Sequence, residues 1–377
     1  MNLEQTKSEK LIKVGFFMET TFHFYVYENI IFHLQQQSIA CCLVINNMMD
    51  EPKLINDMLE FFRNTKLENL SIELLTSLRE SKSKLSVMVS PYFSVGLQST
   101  ADYHVRAMYG LAKEGWNHAW WNIFYDIILC YGDYTKERLN VADNCLVVGN
   151  PKFGKWYFPE RFKNIEGMLK IDNKKPVLLY APTYGKLSSL DEWGKKLSHL
   201  QNFYNVIIKL HHGTTFRDTE KAQYKLAKSF FKNIITQSDI TFELLKFCDY
   251  VLTDNSGFIF DSIYAGKRTI LLTSAKINNI ISLKEDYSNQ QSAEFKMRDY
   301  LPVVENIESL RHCLAEEYDW SRNDKTIAEI RHHYCDPWQD GQAGYRAANS
   351  IINLIHNKKK IRNDIATNLR TVIFEKR

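Results

Sequence analysis

The sequence has few of the residues that break or cross-link a chain. Its 377 residues include only 15 glycines and 8 prolines, so we expect no long flexible linker. The 7 cysteines are scattered and form no Cys-x-x-Cys pair, which disfavours a disulfide framework and a zinc ribbon. Most lie in apolar stretches such as 39–45, which indicates buried free thiols of a reducing compartment.

Long apolar segments and a strong charge are also absent. The first ten residues are polar and charged, so we expect no signal peptide. No uncharged apolar run reaches the ~20 residues that a spanning helix needs. The net charge of +4 is too small for this length to indicate nucleic-acid binding. We therefore expect a cytoplasmic protein with no nucleic-acid partner.

Several motifs for nucleotides and metals are missing as well. The chain has no Walker loop, no Gly-x-Gly-x-x-Gly, no His-Glu-x-x-His or His-x-x-x-His, and no Asp-x-Asp. The sequence thus predicts no metal site and no bound cofactor. It disfavours a glycosyltransferase that holds its nucleotide through an Asp-x-Asp metal motif.

Composition and periodicity indicate two α/β units. Hydrophobic residues make up 45% of the chain and charged residues 24%, the proportions of an ordinary globular protein. Apolar strands alternate with helical segments, and the strands are predicted at 13–18, 39–46, 85–89, 145–148, 176–180, 205–210, 234–236, 250–253 and 269–273. This alternation predicts parallel sheets with crossover helices, split near 150–165.

Polar residues follow three strands of the second half, at 183–186, at 211–213 and at 253–257. Because ligands of open α/β sheets bind outside the carboxyl ends of the strands, we expect one shared ligand site. Ser256 and Gly257 open a helix whose free amides favour a phosphate, although Ser256 could serve only as a helix cap. We expect His211 to contact the ligand, and His212 less so because it projects the other way.

Several runs of the sequence together resemble the CDP-glycerol glycerophosphotransferase family, which makes teichoic-acid-type and capsule polymers. The second half matches through LLYAPTY at 178–184, IIKLH at 207–211, DYVLTDNSGFIFD at 249–261, and DGQA at 340–343 with Arg346. The first half matches through GDYTKERL at 132–139 and VGNP at 148–151. The resemblance covers roughly residues 105–350.

The resemblance implies a GT-B-like α/β fold, with two Rossmann-like domains whose parallel sheets face a cleft. The domains would be an acceptor domain at 1–155, a nucleotide-donor domain at 156–335, and C-terminal helices with a basic tail at 336–377. His211 would contact the donor phosphates. The remaining donor-binding residues would be Thr183, Tyr184, Asp254, Asn255, Ser256, Gly257 and Arg346.

The first-half site departs from the family pattern. Where the family has His-Gly with a nearby Lys, this chain has Tyr109, Gly110 and Lys113. A tyrosine with a pKa of about 10 is a poor general base near neutral pH. Tyr109 and Lys113 stay catalytic candidates beside His211, and Glu19 and His23, just after the first strand, are substitutes for the base. His104 and His118 are further substitutes.

Together with the missing metal motifs, the resemblance implies a metal-independent transferase of cell-envelope glycopolymer synthesis. It would move a glycosyl or polyol-phosphate group from a nucleotide donor, CDP-glycerol or a nucleotide sugar, to a saccharide or lipid-linked glycan acceptor. The donor loop reads Asn-Ser-Gly where the family has Tyr-Ser-Ser, so a sugar nucleotide stays open as the donor. Two alternatives are a UDP-sugar 2-epimerase-like enzyme and a non-catalytic nucleotide-binding member.

The positive charge is concentrated at the C-terminus. Residues 357–377 carry seven Lys or Arg and two acidic residues, a net +5. Ile361, Ile365, Leu369 and Val372 recur through this segment at helical spacing. Two expectations follow: the segment 358–377 binds an anionic membrane surface and places the enzyme peripherally at the inner face, or it packs on the first domain as a terminal helix.

Overall fold

The computed structural model describes residues 13–65, 69–81, 84–140, 143–211, 214, 218–279, 288–357 and 364–375. His212 lies outside the described residues, as do 358–363 and 376–377 of the basic tail.

The first half folds around a parallel sheet with the strand order β3-β2-β1-β4-β5-β6-β7. Its strands are β1 (Lys13–Met18), β2 (Ala40–Ile45), β3 (Leu70–Leu74), β4 (Leu85–Ser90), β5 (Ala101–Ala107), β6 (Ile127–Cys130) and β7 (Cys145–Val147). The helices are α1 (Thr21–Gln36), α2 (Pro52–Asn64), α3 (Leu75–Glu80), α4 (Glu114–Asn117) and α5 (Asp133–Leu139). The central strands are runs of Val, Ile, Leu and Phe because both faces of the sheet are covered.

The second half repeats the plan with the order β10-β9-β8-β11-β12-β13. Its strands are β8 (Val177–Ala181), β9 (Asn205–Lys209), β10 (Asn233–Ile235), β11 (Tyr250–Thr253), β12 (Arg268–Leu272) and β13 (Val303–Val304). The helices are α6 (Leu190–Ser198), α7 (Lys221–Phe230), α8 (Thr241–Phe247), α9 (Phe258–Tyr264), α10 (Ala275–Asn278), α11 (Ala293–Lys296), α12 (Ile307–Leu314) and α13 (Asp324–Ile330). The strands that the sequence predicts are all present, displaced by no more than one residue at either end.

After α13 the chain returns to the first half. Helix α14 (Ala343–His356) buries Ala347, Ile351 and Leu354 in the same apolar core as α1. The contact is close, because a Cβ at Gly344 would stand 2.5 Å from the Asn29 side chain. The boundaries proposed at 155 and 335 stay predictions.

Part of the basic tail also packs on the first half. Helix α15 (Asp364–Arg370) places Arg370 against Asp126, with 3.0 Å between Nη2 and Oδ2, and both side chains are buried. Phe374 stacks on Phe93, with ring centres 5.8 Å apart. For residues 364–375 the structure therefore favours the packed terminal helix. Among the described residues, no helix is both long and apolar enough to cross a bilayer.

Candidate active site

The carboxyl ends of the two sheets approach each other across a cleft. Lys113, in the loop that follows β5, places Nζ 4.0 Å from the centre of the Tyr184 ring in the second half. Its backbone N–H donates to Glu294 Oε1 at 3.0 Å. A Cβ built on Gly257 would lie 3.5 Å from the Ala112 Cβ. The loops that carry the predicted site residues of both halves thus meet.

His211 and Tyr184 form the second-half wall of this cleft. They follow β9 and β8, and their ring centres lie 4.3 Å apart with the planes inclined by 32°. Both side chains are half-buried. Because the Lys113 ammonium lies over the same tyrosine, a cation, an imidazole and an aromatic face stand together. We call His211, Tyr184 and Lys113 the cleft corner; its chemistry suits an anionic group.

Asp254 joins the loop after β11 to the loop after β8, and we call these two the donor loops. Its carboxylate is fully buried and accepts from the Thr183 N–H at 2.8 Å, the Ser189 N–H at 2.9 Å and the Ser189 hydroxyl at 2.8 Å. Burial raises the pKa of this carboxyl, and these hydrogen bonds oppose the shift. The contacts give Asp254 the task of positioning the loops after β8 and β11.

The next three residues differ from one another in their surroundings. Asn255 is only 2% exposed, and within the described part of the chain neither Oδ1 nor Nδ2 has a hydrogen-bond partner. Ser256 Oγ accepts from the Phe258 N–H at 3.2 Å, which is the capping role weighed in the sequence analysis. Gly257 faces the first half through Ala112.

At the start of α14, Arg346 pairs with an acidic side chain and a backbone carbonyl. Its two terminal nitrogens pair with Asp340 at 2.9 and 3.0 Å, and its Nε–H donates to the Val148 carbonyl at 2.8 Å. The guanidinium also lies 4.0 Å from the Trp338 ring centre. These contacts join the start of α14 to the loop after β7. The structure thus places Arg346 at this junction, and its expected contact with the donor stays a prediction.

Glu19 lies at the carboxyl end of β1, on the first-half side. Its Oε1 accepts from Asn46 Nδ2 at 2.7 Å, and its Oε2 accepts from the Tyr92 hydroxyl. The Tyr92 ring lies 6.0 Å from that of Tyr109, edge to face. The carboxylate and Tyr109 are thus neighbours in one polar–aromatic cluster.

His23 is a poor candidate for the base because one ring nitrogen is occupied by a hydrogen bond and the other carries the proton. It is buried, and its Nδ1 accepts the backbone N–H of Glu19 at 3.2 Å. Burial lowers the pKa of His23 to about 3, so the ring is neutral near pH 7. Since Nδ1 uses its lone pair in this bond, the single proton sits on Nε2. His23 is therefore a hydrogen-bond donor, and its ring lies beside those of Tyr92 and Tyr109.

The other candidates for a base are also perturbed. Burial raises the pKa of Tyr109 to about 12. Burial lowers the pKa of His118 to about 4 and places the pKa of His104 well below its ordinary value. His104 is fully buried within β5. Glu19 is a carboxylate at the carboxyl end of β1, in the cluster with Tyr92 and Tyr109, and its oxygens are proton acceptors.

Sequence reasoning missed the segment 288–299, which joins the two halves. Glu294 accepts from the Lys113 N–H and from the Ser288 hydroxyl at 2.5 Å, and burial raises its pKa to about 7. The Ala293 N–H donates to Glu114 at 3.0 Å. The segment holds no long strand or helix, so no periodic signal marked it. In the described part of the chain, no group of three or more His, Cys, Asp or Glu stands close enough to hold a metal ion.

The sequence and the structure both match known proteins. The family model described as CDP-Glycerol:Poly(glycerophosphate) glycerophosphotransferase matches residues 134–355, more than half of the chain. No curated protein matches the sequence significantly.

Solved structures of similar fold share little sequence. One is the wall teichoic acid polymerase TagF, with 14% identity and a TM-score of 0.66 over 93% of this chain and 90% of that chain. Another is a putative UDP-N-acetylglucosamine 2-epimerase from Listeria monocytogenes, with 13% identity and a TM-score of 0.60 over 93% and 98%. The UDP-GlcNAc 2-epimerase from Neisseria meningitidis bound to UDP-GlcNAc gives 12% and 0.58 over 91% and 99%.

These likenesses confirm the expected α/β fold of GT-B type, with two parallel sheets that face a cleft. The family match covers the donor loops, the junction at Arg346 and most of the second half. The chain therefore belongs to the CDP-glycerol:poly(glycerophosphate) glycerophosphotransferase family and is a transferase of GT-B type.

Proposed function

We propose that the protein transfers glycerol phosphate, or a related polyol-phosphate or sugar unit, from a cytidine-activated donor to a hydroxyl of a glycopolymer acceptor, without a metal ion. Family membership supports the transferase class. The observation that carries the proposal is the cleft corner, where Lys113, Tyr184 and His211 meet at the carboxyl ends of both sheets.

The reaction requires a place for departing negative charge. The acceptor oxygen forms a bond to the phosphorus of the transferred unit, while the bond from that phosphorus to the bridging oxygen breaks and CMP leaves. His211 and Lys113 supply positive charge or a hydrogen bond to the departing phosphate. The amides of Ser256 and Gly257 and the side chain of Thr183 complete the cradle in this proposal.

The acceptor proton needs a base, and we assign this role to Glu19. Tyr109 holds its proton too strongly, and the free nitrogen of His23 already carries one. A carboxylate has lone pairs to spare, so Glu19 can take a proton while it keeps Asn46 and Tyr92 as donors. The Nε2–H of His23 then orients the acceptor hydroxyl.

The identity of the donor is the part that needs direct measurement. A panel of CDP-glycerol, CDP-ribitol and CMP-, UDP- and GDP-sugars, screened by the shift in thermal midpoint, would rank them. We expect the CDP-polyols to give the largest shift. A larger shift with a UDP- or GDP-sugar would move the proposal to a glycosyl donor.

Turnover separates this proposal from the alternatives. The purified chain is incubated with CDP-glycerol and a short glycerol phosphate oligomer, with and without EDTA, and CMP release and product length are followed. We expect both to rise together and EDTA to have no effect. Conversion of free UDP-GlcNAc without acceptor would instead indicate an epimerase, and donor binding without CMP release would indicate a non-catalytic member.

A lipid-linked acceptor would place the enzyme at a membrane surface, and we propose that residues 358–363 assist there. Lys358, Lys359, Lys360 and Arg362 directly precede α15 in the sequence. A basic run of this kind attracts anionic lipids. Co-sedimentation with phosphatidylglycerol vesicles should fall when these four residues are changed to Gln. Unchanged sedimentation would refute this part.

A further inference from the structure

At the carboxyl edge of the second sheet, two polar side chains have buried atoms that find no hydrogen-bond partner among the described residues. Asn255, in the loop after β11, buries both atoms of its carboxamide. Arg298 buries its Nε, and among the described residues this atom also has no acceptor. An unpaired buried polar group costs about 1–3 kcal/mol. A fold that leaves several of them in one place is often completed by a ligand.

Arg298 lies beside the loop that carries Asn255. Arg298 Nη2 donates to the carbonyl of Leu272, the last residue of β12, at a long 3.4 Å. Strand β12 pairs with β11, with Leu271 opposite Thr253, so the end of β12 lies beside the start of the donor loop. Burial lowers the pKa of Arg298, and the Asp254 carboxylate opposes this shift. Asn255 follows Asp254 directly. Both unpaired groups therefore adjoin the donor loop.

Asp254 does not satisfy Arg298. Its two oxygens already accept from Thr183 and from two donors of Ser189. The guanidinium thus keeps a charge and an Nε–H donor that no carboxylate of the described chain takes up. Planar guanidinium groups bind phosphate oxygens with high geometric fit, and a carboxamide N–H adds a further donor.

We propose that Arg298 and Asn255 bind the diphosphate of the nucleotide donor, Arg298 through Nε–H and Asn255 through Nδ2–H. This inference rests on the proposed nucleotide-dependent transfer. It makes both residues determinants of diphosphate recognition.

The location of Arg298 gives this contact a second consequence. It stands four residues after Glu294, in the segment 288–299 that holds the Lys113 backbone. A phosphate on Arg298 therefore steadies the same segment that fixes the first-half loop. Donor binding and the position of Lys113 are mechanically linked through one short stretch of chain.

The test is calorimetric binding of CDP, UDP and cytidine to the full chain. Arg298→Gln should weaken diphosphate binding about 10- to 100-fold, as expected for the loss of a charged hydrogen bond, and leave cytidine binding unchanged. Arg311→Gln, an exposed arginine on α12, is the matched control and should bind like the wild type. Equal loss for CDP and cytidine would mean that Arg298 only supports the fold, and would overturn the proposal.

Asn255→Ala tests the same inference without relying on Arg298. Because its carboxamide has no hydrogen-bond partner in the described part of the chain, the variant should keep or raise the thermal midpoint without nucleotide, yet bind CDP at least about tenfold more weakly. Wild-type CDP binding by both variants would overturn the inference while the proposed transfer stands. If the wild type binds UDP and not CDP, the cytidine donor is wrong, and the variants are judged on UDP. If it binds neither, the proposed function fails with the inference.

Discussion

Replacing Glu294 by Gln should make the stability of the protein less dependent on pH. Glu294 is fully buried and holds the Lys113 N–H and the Ser288 hydroxyl through Oε1. Gln keeps an oxygen at that position and cannot ionise. The substitution therefore removes the buried charge while it retains the bond from Lys113 across the cleft and the bond from Ser288 within the segment.

The magnitude follows from the shift in pKa. Burial raises the pKa of Glu294 from 4.5 to about 7, and one unit corresponds to about 1.4 kcal/mol. An acid whose pKa is raised on folding stabilises the fold below its unfolded pKa, and this contribution is lost as pH rises through the folded value. The wild type should thus lose about 2 kcal/mol relative to Glu294→Gln between pH 5 and pH 8.

Urea denaturation of both proteins at pH 5 and pH 8 measures this difference. The new amide N–H groups of Gln lie where Oε2 has no hydrogen-bond partner among the described residues, so the difference between the proteins at a single pH includes their cost. The change of that stability difference between pH 5 and pH 8 does not include the cost of the amide groups. Glu308→Gln, on an exposed site, is the control and should show no change of this difference. An equal difference at both pH values for Glu294→Gln would refute the reasoning.

Three further variants test the assignment of the base and the docking of the C-terminal tail. Glu19→Gln should lower kcat at least about 100-fold with little change in KM, as expected for a general base, whereas His23→Gln should have the smaller effect; the reverse order would reassign the base. Arg370→Ala should destabilise the first half by about 3 kcal/mol, because it leaves Asp126 buried with only the His104 N–H as a donor among the contacts described. Thermal unfolding checks this, and an unchanged midpoint would show that the tail is not docked.

Elements with uniform composition could be predicted from the sequence. Strands such as β8 and β11 are buried throughout because both faces of the sheet are covered, and turn residues follow them, Pro182 after β8 and Asn255 with Gly257 after β11. Strand β5 was missed because it contains Asp102, His104 and Arg106. The Arg106 side chain is buried there because Asn117, Asn122 and the Pro91 carbonyl accept its hydrogen bonds, and such long-range partners leave no periodic signal.

Only those site residues that follow a strand or stand in a motif could be predicted from the sequence. Strand ends and motifs point to His211, Tyr184 and Lys113, which the structure brings together. They also point to Arg346, whose guanidinium forms hydrogen bonds with the Asp340 carboxylate in the structure. Arg298 escaped because it follows no strand and matches no motif.

The most direct test of the central claim is transfer by His211→Ala. With CDP-glycerol and a glycerol phosphate oligomer, His199→Ala, an exposed histidine, serves as the matched control. We expect kcat of His211→Ala to fall at least about 100-fold with an unchanged thermal midpoint, and the control to match the wild type. Wild-type turnover by His211→Ala would contradict the assignment of the cleft corner to the donor phosphates.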